Sequence, residues 1–253
     1  MLHTRTLQKE TQEMKMTDLK IAIYADGADI NGMVEMYKKG FIKGFTTNPT
    51  LMKKAGVKSY PQFAKETIGS IPDMPISFEV FADDFAMMKK EALILSQYGE
   101  NVFVKIPITN SKGESSVPLI SELSKEGVNL NITAIFTPKQ AESVLAVLKE
   151  GTENIISVFA GRIADAGVDP EIIMRQVAEM CKQKDGAKSL WASCREVFNI
   201  IQAERSGVDI ITVTNDLLAK MENLGKDLEI FSLETVQMFE RDGRELGFSI
   251  IEE

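Results

Sequence analysis

The chain has 253 residues, of which 44% are hydrophobic and 26% charged, a composition typical of folded globular proteins and not of disordered, collagen-like or coiled-coil chains. Its 29 lysines and arginines are outnumbered by 37 aspartates and glutamates, and the formal charge of −8 argues against a general binder of nucleic acids or anionic membranes. The two cysteines, Cys181 and Cys194, lack the spacing of a disulfide framework or a zinc site, which fits a reducing cytosol.

The first 18 residues form a polar leader ahead of the first predicted strand, and we expect this leader to be mobile. It contains the single histidine of the chain, His3, so catalysis by a Ser/His or Cys/His pair is disfavoured. The leader has no apolar core of the kind found in signal peptides, and no apolar run elsewhere approaches the roughly 20 residues that a membrane span needs. We therefore expect a soluble, cytoplasmic protein with no membrane or nucleic-acid partner.

Short β-rich segments alternate with longer segments of helical period along the rest of the chain. This alternation is typical of βα units around a parallel sheet. Eight such units in about 200 residues predict a single (β/α)8 TIM barrel domain over residues 19–253. A doubly wound sheet would show the same alternation and stays open at this point. The strands are predicted at residues 20–26, 44–48, 76–80, 102–108, 130–136, 155–161, 189–193 and 210–214.

Three segments show the helical pattern with particular clarity. Residues 137–151 end in glycine, and residues 170–184 carry proline in the first turn, as helix ends often do. After the last strand, residues 233–246 have the apolar spacing of an extra, amphipathic C-terminal helix. We expect this helix to cover either the barrel bottom or a neighbouring subunit.

Polar residues are concentrated near the carboxyl ends of the predicted strands. In a barrel these ends meet at one mouth, where functional groups gather. Since buried polar groups are costly unless they are paired, this convergence indicates either a mutual network or a ligand site. The residues are Asp26, Thr47, Asn48, Glu79, Lys105, Asn131, Thr133, Arg162, Ser193 and Arg195.

Lys105 lies inside the apolar strand segment VFVKIPI. Apolar neighbours desolvate an amine and favour its neutral form, which is the nucleophile that condenses with a carbonyl to form an imine. Asp26 and Glu79 are the natural acid/base partners for such chemistry. The alternative is structural, with Lys105 held in a buried ion pair by these two carboxylates. Asn131 and Thr133 are two residues apart and therefore face the same side of their strand, towards the mouth.

Arg162 and Arg195 follow neighbouring predicted strands, and Ser193 precedes the second arginine by two residues. Guanidinium groups match phosphate oxygens in a bidentate manner, so these residues predict a pocket for a small anion. The alternative is that both arginines pair with surface carboxylates. No glycine-rich nucleotide-binding motif follows any strand, and we expect no nucleotide cofactor.

Five segments, in this order, resemble the transaldolase family over residues 20–222: GFTTNPTLMKKAG, VFVKIPI, NLNITAIFTPKQA, SVFAGRIADAG and LWASCREVFNI. The short form of the family, which includes the fructose-6-phosphate aldolases, is the most similar. The resemblance implies a (β/α)8 barrel, a class I Schiff-base mechanism without metal or cofactor, sugar-phosphate substrates and a homo-oligomer such as a decamer.

The resemblance also implies individual roles. Lys105 corresponds to the imine-forming lysine, Asp26 to the acid/base carboxylate, and Glu79 and Thr133 to the pair that holds the catalytic water. The implied substrate contacts are Thr47, Asn48, Asn131 and Phe159, and the implied sugar-phosphate site is Arg162, Ser193 and Arg195.

Two positions separate the branches of this family. Its free-standing aldolases carry glutamine at the position of Glu79 and tyrosine at that of Phe159, so this chain has the transaldolase combination. The resemblance therefore implies transfer of a dihydroxyacetone unit to an acceptor aldehyde. Three alternatives stay open: an aldolase that releases free dihydroxyacetone, a transaldolase for another anionic ketose such as a sulfonated fructose, and a non-catalytic sugar-phosphate-binding barrel.

Overall fold

The computed structural model describes residues 18–250. The chain divides into two compact units, of which one spans Lys20–Ala219 and the other contains the C-terminal segment from Lys220 onward. All but the last residue of the predicted leader 1–18 lies outside the described residues.

The unit Lys20–Ala219 is a closed parallel barrel in which strands and helices alternate. Among the described residues, the strands pair in the order β1 to β8, and β8 pairs with β1 to close the sheet. This closure confirms the predicted (β/α)8 barrel and excludes the doubly wound alternative. The strands are β1 (Ala22–Asp26), β2 (Gly44–Thr46), β3 (Ile76–Glu79), β4 (Val102–Pro107), β5 (Leu130–Ile135), β6 (Asn154–Val158), β7 (Ala187–Trp191) and β8 (Ile210–Thr214).

The helices surround this sheet. Several of them begin directly after a residue whose side chain caps the first turn. Thr137 caps α6 (Pro138–Leu145) through reciprocal hydrogen bonds with Gln140, and Asp169 caps α8 (Pro170–Lys182) ahead of a proline. The helices are α1 (Ile30–Lys38), α2 (Pro49–Lys54), α3 (Tyr60–Ser70), α4 (Phe85–Ser96), α5 (Val117–Lys125), α6 (Pro138–Leu145), α7 (Ala160–Asp165), α8 (Pro170–Lys182), α9 (Phe198–Arg205) and α10 (Asn215–Lys220). The helix predicted over 137–151 is therefore shorter than expected and ends at Leu145.

The barrel interior has an apolar layer beneath a polar one. The apolar layer is a cluster of buried side chains: Tyr24, Phe103, Ile155, Leu190, Ala192 and Ile210. Because side chains alternate along a strand, the residues two positions further on face the same interior. On β1, β4, β6 and β8 these residues are Asp26, Lys105, Ser157 and Thr212. The polar groups of the mouth thus rest on an apolar floor.

The first turn of α7, which follows β6, packs directly against the loop after β7. Gly161 donates its backbone N–H to the carbonyl of Ala192 at 3.3 Å. Ser193 has a φ of 65°, the left-handed region that non-glycine residues rarely adopt. A Cβ atom at position 161 would lie 1.6 Å from the carbonyl oxygen of Ser193, so only glycine fits. This close approach brings Arg162 and Arg195 to the same side of the mouth.

In the second unit, α11 spans Leu228–Leu246. It begins five residues before the predicted 233–246, because the carboxylate of Asp227 accepts hydrogen bonds from the backbone N–H groups of Glu229 and Ile230. No residue of this helix is buried, and its apolar residues are exposed. Its role in covering the barrel or a neighbouring subunit stays a prediction. No described helix combines the length and apolar character needed to cross a membrane.

We expect Gly161→Ala to lower the free energy of unfolding by about 1–3 kcal/mol, because the new methyl group overlaps the Ser193 carbonyl. The matched control is Gly69→Ala near the end of α3, where an added Cβ meets nothing within 4 Å. That change should be neutral or stabilising by up to about 1 kcal/mol, since alanine is the better helix former. Urea unfolding of both variants measures the difference, and equal stabilities would contradict the close approach.

Candidate active site

A cavity of about 450 Å³ opens at the carboxyl ends of the barrel strands. Most of the residues predicted for the site line it, and Thr47 and Asn131 are not among its lining residues. The predicted residues that line the cavity are Asp26, Asn48, Glu79, Lys105, Thr133, Phe159, Arg162, Ser193 and Arg195.

Lys105 carries a buried amine and is one of the residues that line this cavity. The side chains of Lys105 and Glu79 are 8% and 18% exposed, and the distance from the amine to Glu79 Oε2 is 3.1 Å. The two residues are direct partners across β3 and β4, so the register itself brings them together. The amine also donates a hydrogen bond to the backbone carbonyl of Thr47 at 2.8 Å. The charge of Lys105 is therefore compensated inside the barrel by a carboxylate and a backbone carbonyl.

The backbone of Glu79 is held from outside the barrel by Tyr60. The Tyr60 hydroxyl donates to the Glu79 carbonyl at 2.7 Å, and burial raises the pKa of Tyr60 well above its ordinary value. The ring of Tyr60 also makes an edge contact with Phe81, at 4.7 Å between centroids. Since the hydroxyl stays protonated, it is a permanent donor at the end of β3.

Asp26 lies on the same interior face, at the end of β1. Thr46 Oγ1 donates to Asp26 Oδ1 at 2.7 Å, and Thr46 is in turn in contact with the hydroxyl of Thr212. Burial raises the pKa of Asp26 above its ordinary value, and the negative charge of Glu79 adds a smaller increase. The positive charge of Lys105 and the hydrogen bond from Thr46 oppose that rise. A carboxyl group under these opposing influences is suited to accept and return a proton.

Thr47 and Asn131 do not line the cavity but form hydrogen bonds with residues of the barrel interior. The Thr47 hydroxyl donates to the Ser77 carbonyl at 2.9 Å, so this residue reaches Lys105 through its own backbone carbonyl. The Asn131 amide is fully buried between two serines: it donates to Ser77 Oγ at 2.9 Å and accepts from Ser157 Oγ at 2.6 Å. The amide of Asn131, predicted to contact substrate, thus takes part in a hydrogen-bonded network next to Lys105.

Asn48 lines the cavity from the loop after β2, and Thr133 lines it from β5. Asn48 caps α2, because its Oδ1 accepts from the Leu51 backbone N–H at 3.0 Å, which leaves its amide nitrogen as the atom that can serve a ligand. Thr133 is almost fully buried and precedes Ala134, which has a φ of 58° at an irregularity of β5. Strained backbone of this kind is common at functional sites.

The far side of the cavity is positively charged. The Arg162 guanidinium lies 5.5 Å from the centroid of the Phe159 ring, a cation–π contact. Arg195 forms an ion pair with Asp165, at 2.5 Å from NH2 to Oδ2. The backbone N–H of Arg195 donates to Asn199 Oδ1 at 2.8 Å, which positions the start of the loop leading to α9.

Several residues of the site were missed by the sequence analysis. Thr212 and Thr214 line the cavity from β8, and Thr46 lines it from β2. Strand alternation from Ile210 would have pointed to the two threonines of β8. Asp165, the partner of Arg195, lies in the segment SVFAGRIADAG, in which the sequence analysis singled out only Phe159 and Arg162. Cys194 also lines the cavity, but burial raises the pKa of its thiol to about 12, so it is protonated at neutral pH.

Comparison with known proteins matches residues 23–250 to the family described as "Transaldolase/Fructose-6-phosphate aldolase". A probable transaldolase from Nitrosopumilus maritimus is 34% identical over 201 residues, which is 79% of this chain and 86% of the relative. Probable transaldolases from Dehalococcoides mccartyi and Methanococcus maripaludis are 34% and 35% identical, each over 79% of this chain and 89% of the relative.

A crystal structure of a putative fructose-1,6-biphosphate aldolase from Coccidioides immitis is similar with a TM-score of 0.54 at 13% identity. The match covers 77% of this chain and 73% of that one. At this level of identity the similarity concerns the barrel fold alone.

The raised pKa of Asp26 predicts a pH-dependent gain of stability in Asp26→Asn. A carboxyl group that binds its proton more tightly in the folded chain lowers the free energy of unfolding as the pH rises through its folded-state pKa. The stability of Asp26→Asn relative to the wild type should therefore increase from pH 4 upward and level off once the folded-state carboxyl is ionised. Urea unfolding of both proteins across this range measures the difference, and a difference that does not change with pH would contradict the assignment.

Proposed function

We propose that this chain, which belongs to the transaldolase/fructose-6-phosphate aldolase family, transfers a dihydroxyacetone unit from a ketose phosphate to an aldose phosphate through a Schiff base on Lys105. The observation that carries the proposal is the buried amine of Lys105, 3.1 Å from Glu79, in a cavity that Asp26 also lines. The opposite side of that cavity carries two guanidinium groups. The residues proposed for the reaction and the residues proposed to bind the anion thus lie in different parts of one cavity.

Imine formation begins with transfer of a proton from the Lys105 ammonium to Glu79. The neutral nitrogen then attacks the C2 carbonyl of the donor, a carbon–nitrogen bond forms, and the carbonyl oxygen is protonated and leaves as water. Glu79 and Thr133 are proposed to hold that water and to return it when the product is released. Since the Thr47 carbonyl accepts from the same amine, the nitrogen keeps a fixed position before attack.

Carbon–carbon cleavage is assigned to Asp26. Its carboxylate takes the proton of the C4 hydroxyl, the C3–C4 bond breaks, and the bonding electrons pass into the iminium to leave an enamine on Lys105. Glyceraldehyde 3-phosphate departs when fructose 6-phosphate is the donor. An acceptor such as erythrose 4-phosphate then forms the new bond, and Asp26 gives the proton back. The raised pKa of Asp26 suits this alternation between acid and base.

The phosphate groups of donor and acceptor are proposed to bind Arg162, Ser193 and Arg195 in turn. Bidentate contacts between guanidinium and phosphate are strong and directional. Among the described residues Arg162 has no carboxylate within ion-pair distance, so its charge is available to a ligand. The proposed partners are accordingly small sugar phosphates.

Transfer is favoured over release by the side chain at position 159. Phe159 lines the cavity and packs against Phe136 at 5.9 Å between ring centroids, so its ring presents no hydroxyl to the enamine. Release of free dihydroxyacetone requires protonation of the enamine, and a tyrosine hydroxyl would be a further proton donor. An aldolase is therefore the second candidate, and position 159 separates the two.

The Schiff base is tested by borohydride reduction in the presence of fructose 6-phosphate. We expect a covalent adduct on the peptide that contains Lys105, identified by mass spectrometry, and loss of transfer in Lys105→Ala. Lys105→Arg is the control for a structural role, because it keeps the positive charge beside Glu79 but does not form an imine. An active Lys105→Arg enzyme, or a wild type that stays unmodified, would reject the proposal.

Phe159→Tyr is expected to raise the rate of free dihydroxyacetone release without acceptor by about tenfold or more, because it supplies a proton donor to the enamine. The measurement compares release with and without an acceptor aldehyde. The matched control is Phe136→Tyr, which adds the same hydroxyl to the neighbouring ring outside the lining of the cavity. Equal release rates in the two variants would contradict the role of position 159.

A further inference from the structure

The two arginines of the anion side are held in different ways. Arg162 lies over the ring of Phe159, and no carboxylate of the described residues is in ion-pair distance of it. Arg195 is bound by the carboxylate of Asp165 through one terminal nitrogen, at 2.5 Å. The remaining N–H groups of the Arg195 fork are left for a ligand, since a guanidinium has five donors.

The pairing changes the charge that a bound anion experiences. Two arginines alone would contribute two positive charges, which match a phosphate monoester in its doubly charged form. With Asp165 included, the group carries a single net positive charge. The side chains of Arg195 and Asp165 are 47% and 56% exposed, so solvent screens the pair and its effect on a ligand is moderate.

We propose that Asp165 determines the charge selectivity of the anion side: it positions Arg195 and at the same time lowers the preference of the cavity for a doubly charged over a singly charged donor. This inference rests on the proposed function for the identity of the donor. The residue is the last of α7, the helix that also carries Gly161 and Arg162, and it is not among the residues that line the cavity. It acts on the ligand through Arg195 and through its own negative charge.

The test separates positioning from charge by two substitutions. Asp165→Asn removes the charge but keeps an oxygen that accepts from the guanidinium, whereas Asp165→Ala removes both. The matched control is Asp185→Asn, an exposed carboxylate in the turn before β7, at the opposite end of the barrel strands. It makes the same change in the net charge of the protein.

The probes are fructose 6-phosphate, doubly charged at pH 8, and 6-deoxy-6-sulfofructose, singly charged at that pH. Calorimetric dissociation constants are measured for each with the wild type and the three variants. In Asp165→Asn we expect affinity to rise by about fivefold for the phosphate and about twofold for the sulfonate, because repulsion by a nearby charge scales with the charge of the ligand. In Asp165→Ala the gain should be smaller for both probes, since Arg195 loses its acceptor.

A change confined to positioning would move both probes equally, so an unaltered phosphate-to-sulfonate ratio in Asp165→Asn overturns the inference. A ratio that shifts as much in Asp185→Asn overturns it as well, and so does a wild type that binds neither probe. The two donors share carbons 1 to 5, and any contribution of imine formation to binding therefore cancels in the ratio. If borohydride leaves Lys105 unmodified while the ratio still shifts in Asp165→Asn, the proposed reaction fails and the anion selectivity stands.

Discussion

A charged amine inside a protein must be compensated, and the site is organised around that requirement at Lys105. Burying an ammonium ion without a partner would cost several kcal/mol, more than most single interactions return. Two neighbours supply the compensation: Glu79, which the register of β3 and β4 places beside it, and the backbone carbonyl of Thr47. Both are fixed by the backbone of the barrel, so the position of the amine depends on strand pairing more than on side-chain choice.

The uncharged polar side chains around Lys105 serve the same purpose at longer range. Thr46 and Thr212 lead from Asp26, and Ser77, Asn131 and Ser157 form a second chain of hydrogen bonds. Small hydroxyl and amide groups can satisfy each other in this interior without adding charge. This network keeps polar groups close to Lys105 and Asp26, and the apolar floor lies below it. The raised pKa of Asp26 shows the cost of burial, because a buried carboxylate reduces stability at neutral pH.

The fold and the polar mouth could be predicted from sequence because both follow local rules. Alternation of β-rich and helical segments indicated the barrel, and a lysine inside an apolar strand stood out by its chemistry. Thr46, Thr212 and Thr214 were missed because threonine is common in strands and its hydroxyl carries no signal of its partner. Asn131 was placed on the correct face, yet its two serine neighbours come from other strands and only closure brings them together. The left-handed backbone of Ser193 and the pairing of Arg195 with Asp165 likewise depend on contacts between loops that are distant in sequence.

The two sides of the cavity differ in how firmly they can hold a ligand, and a transfer reaction needs this difference. The proposed mechanism keeps the three-carbon fragment covalently on Lys105 while one phosphorylated aldehyde leaves and another enters. The anion side must therefore release its ligand readily, and solvent weakens the contacts that a guanidinium as exposed as that of Arg195 makes with an anion. A buried, fully compensated anion site would hold the departing product. In the proposed mechanism a covalent bond to the buried Lys105 thus retains the three-carbon fragment. The phosphorylated aldehydes exchange at the exposed end of the cavity, where solvent screens the charges that bind them.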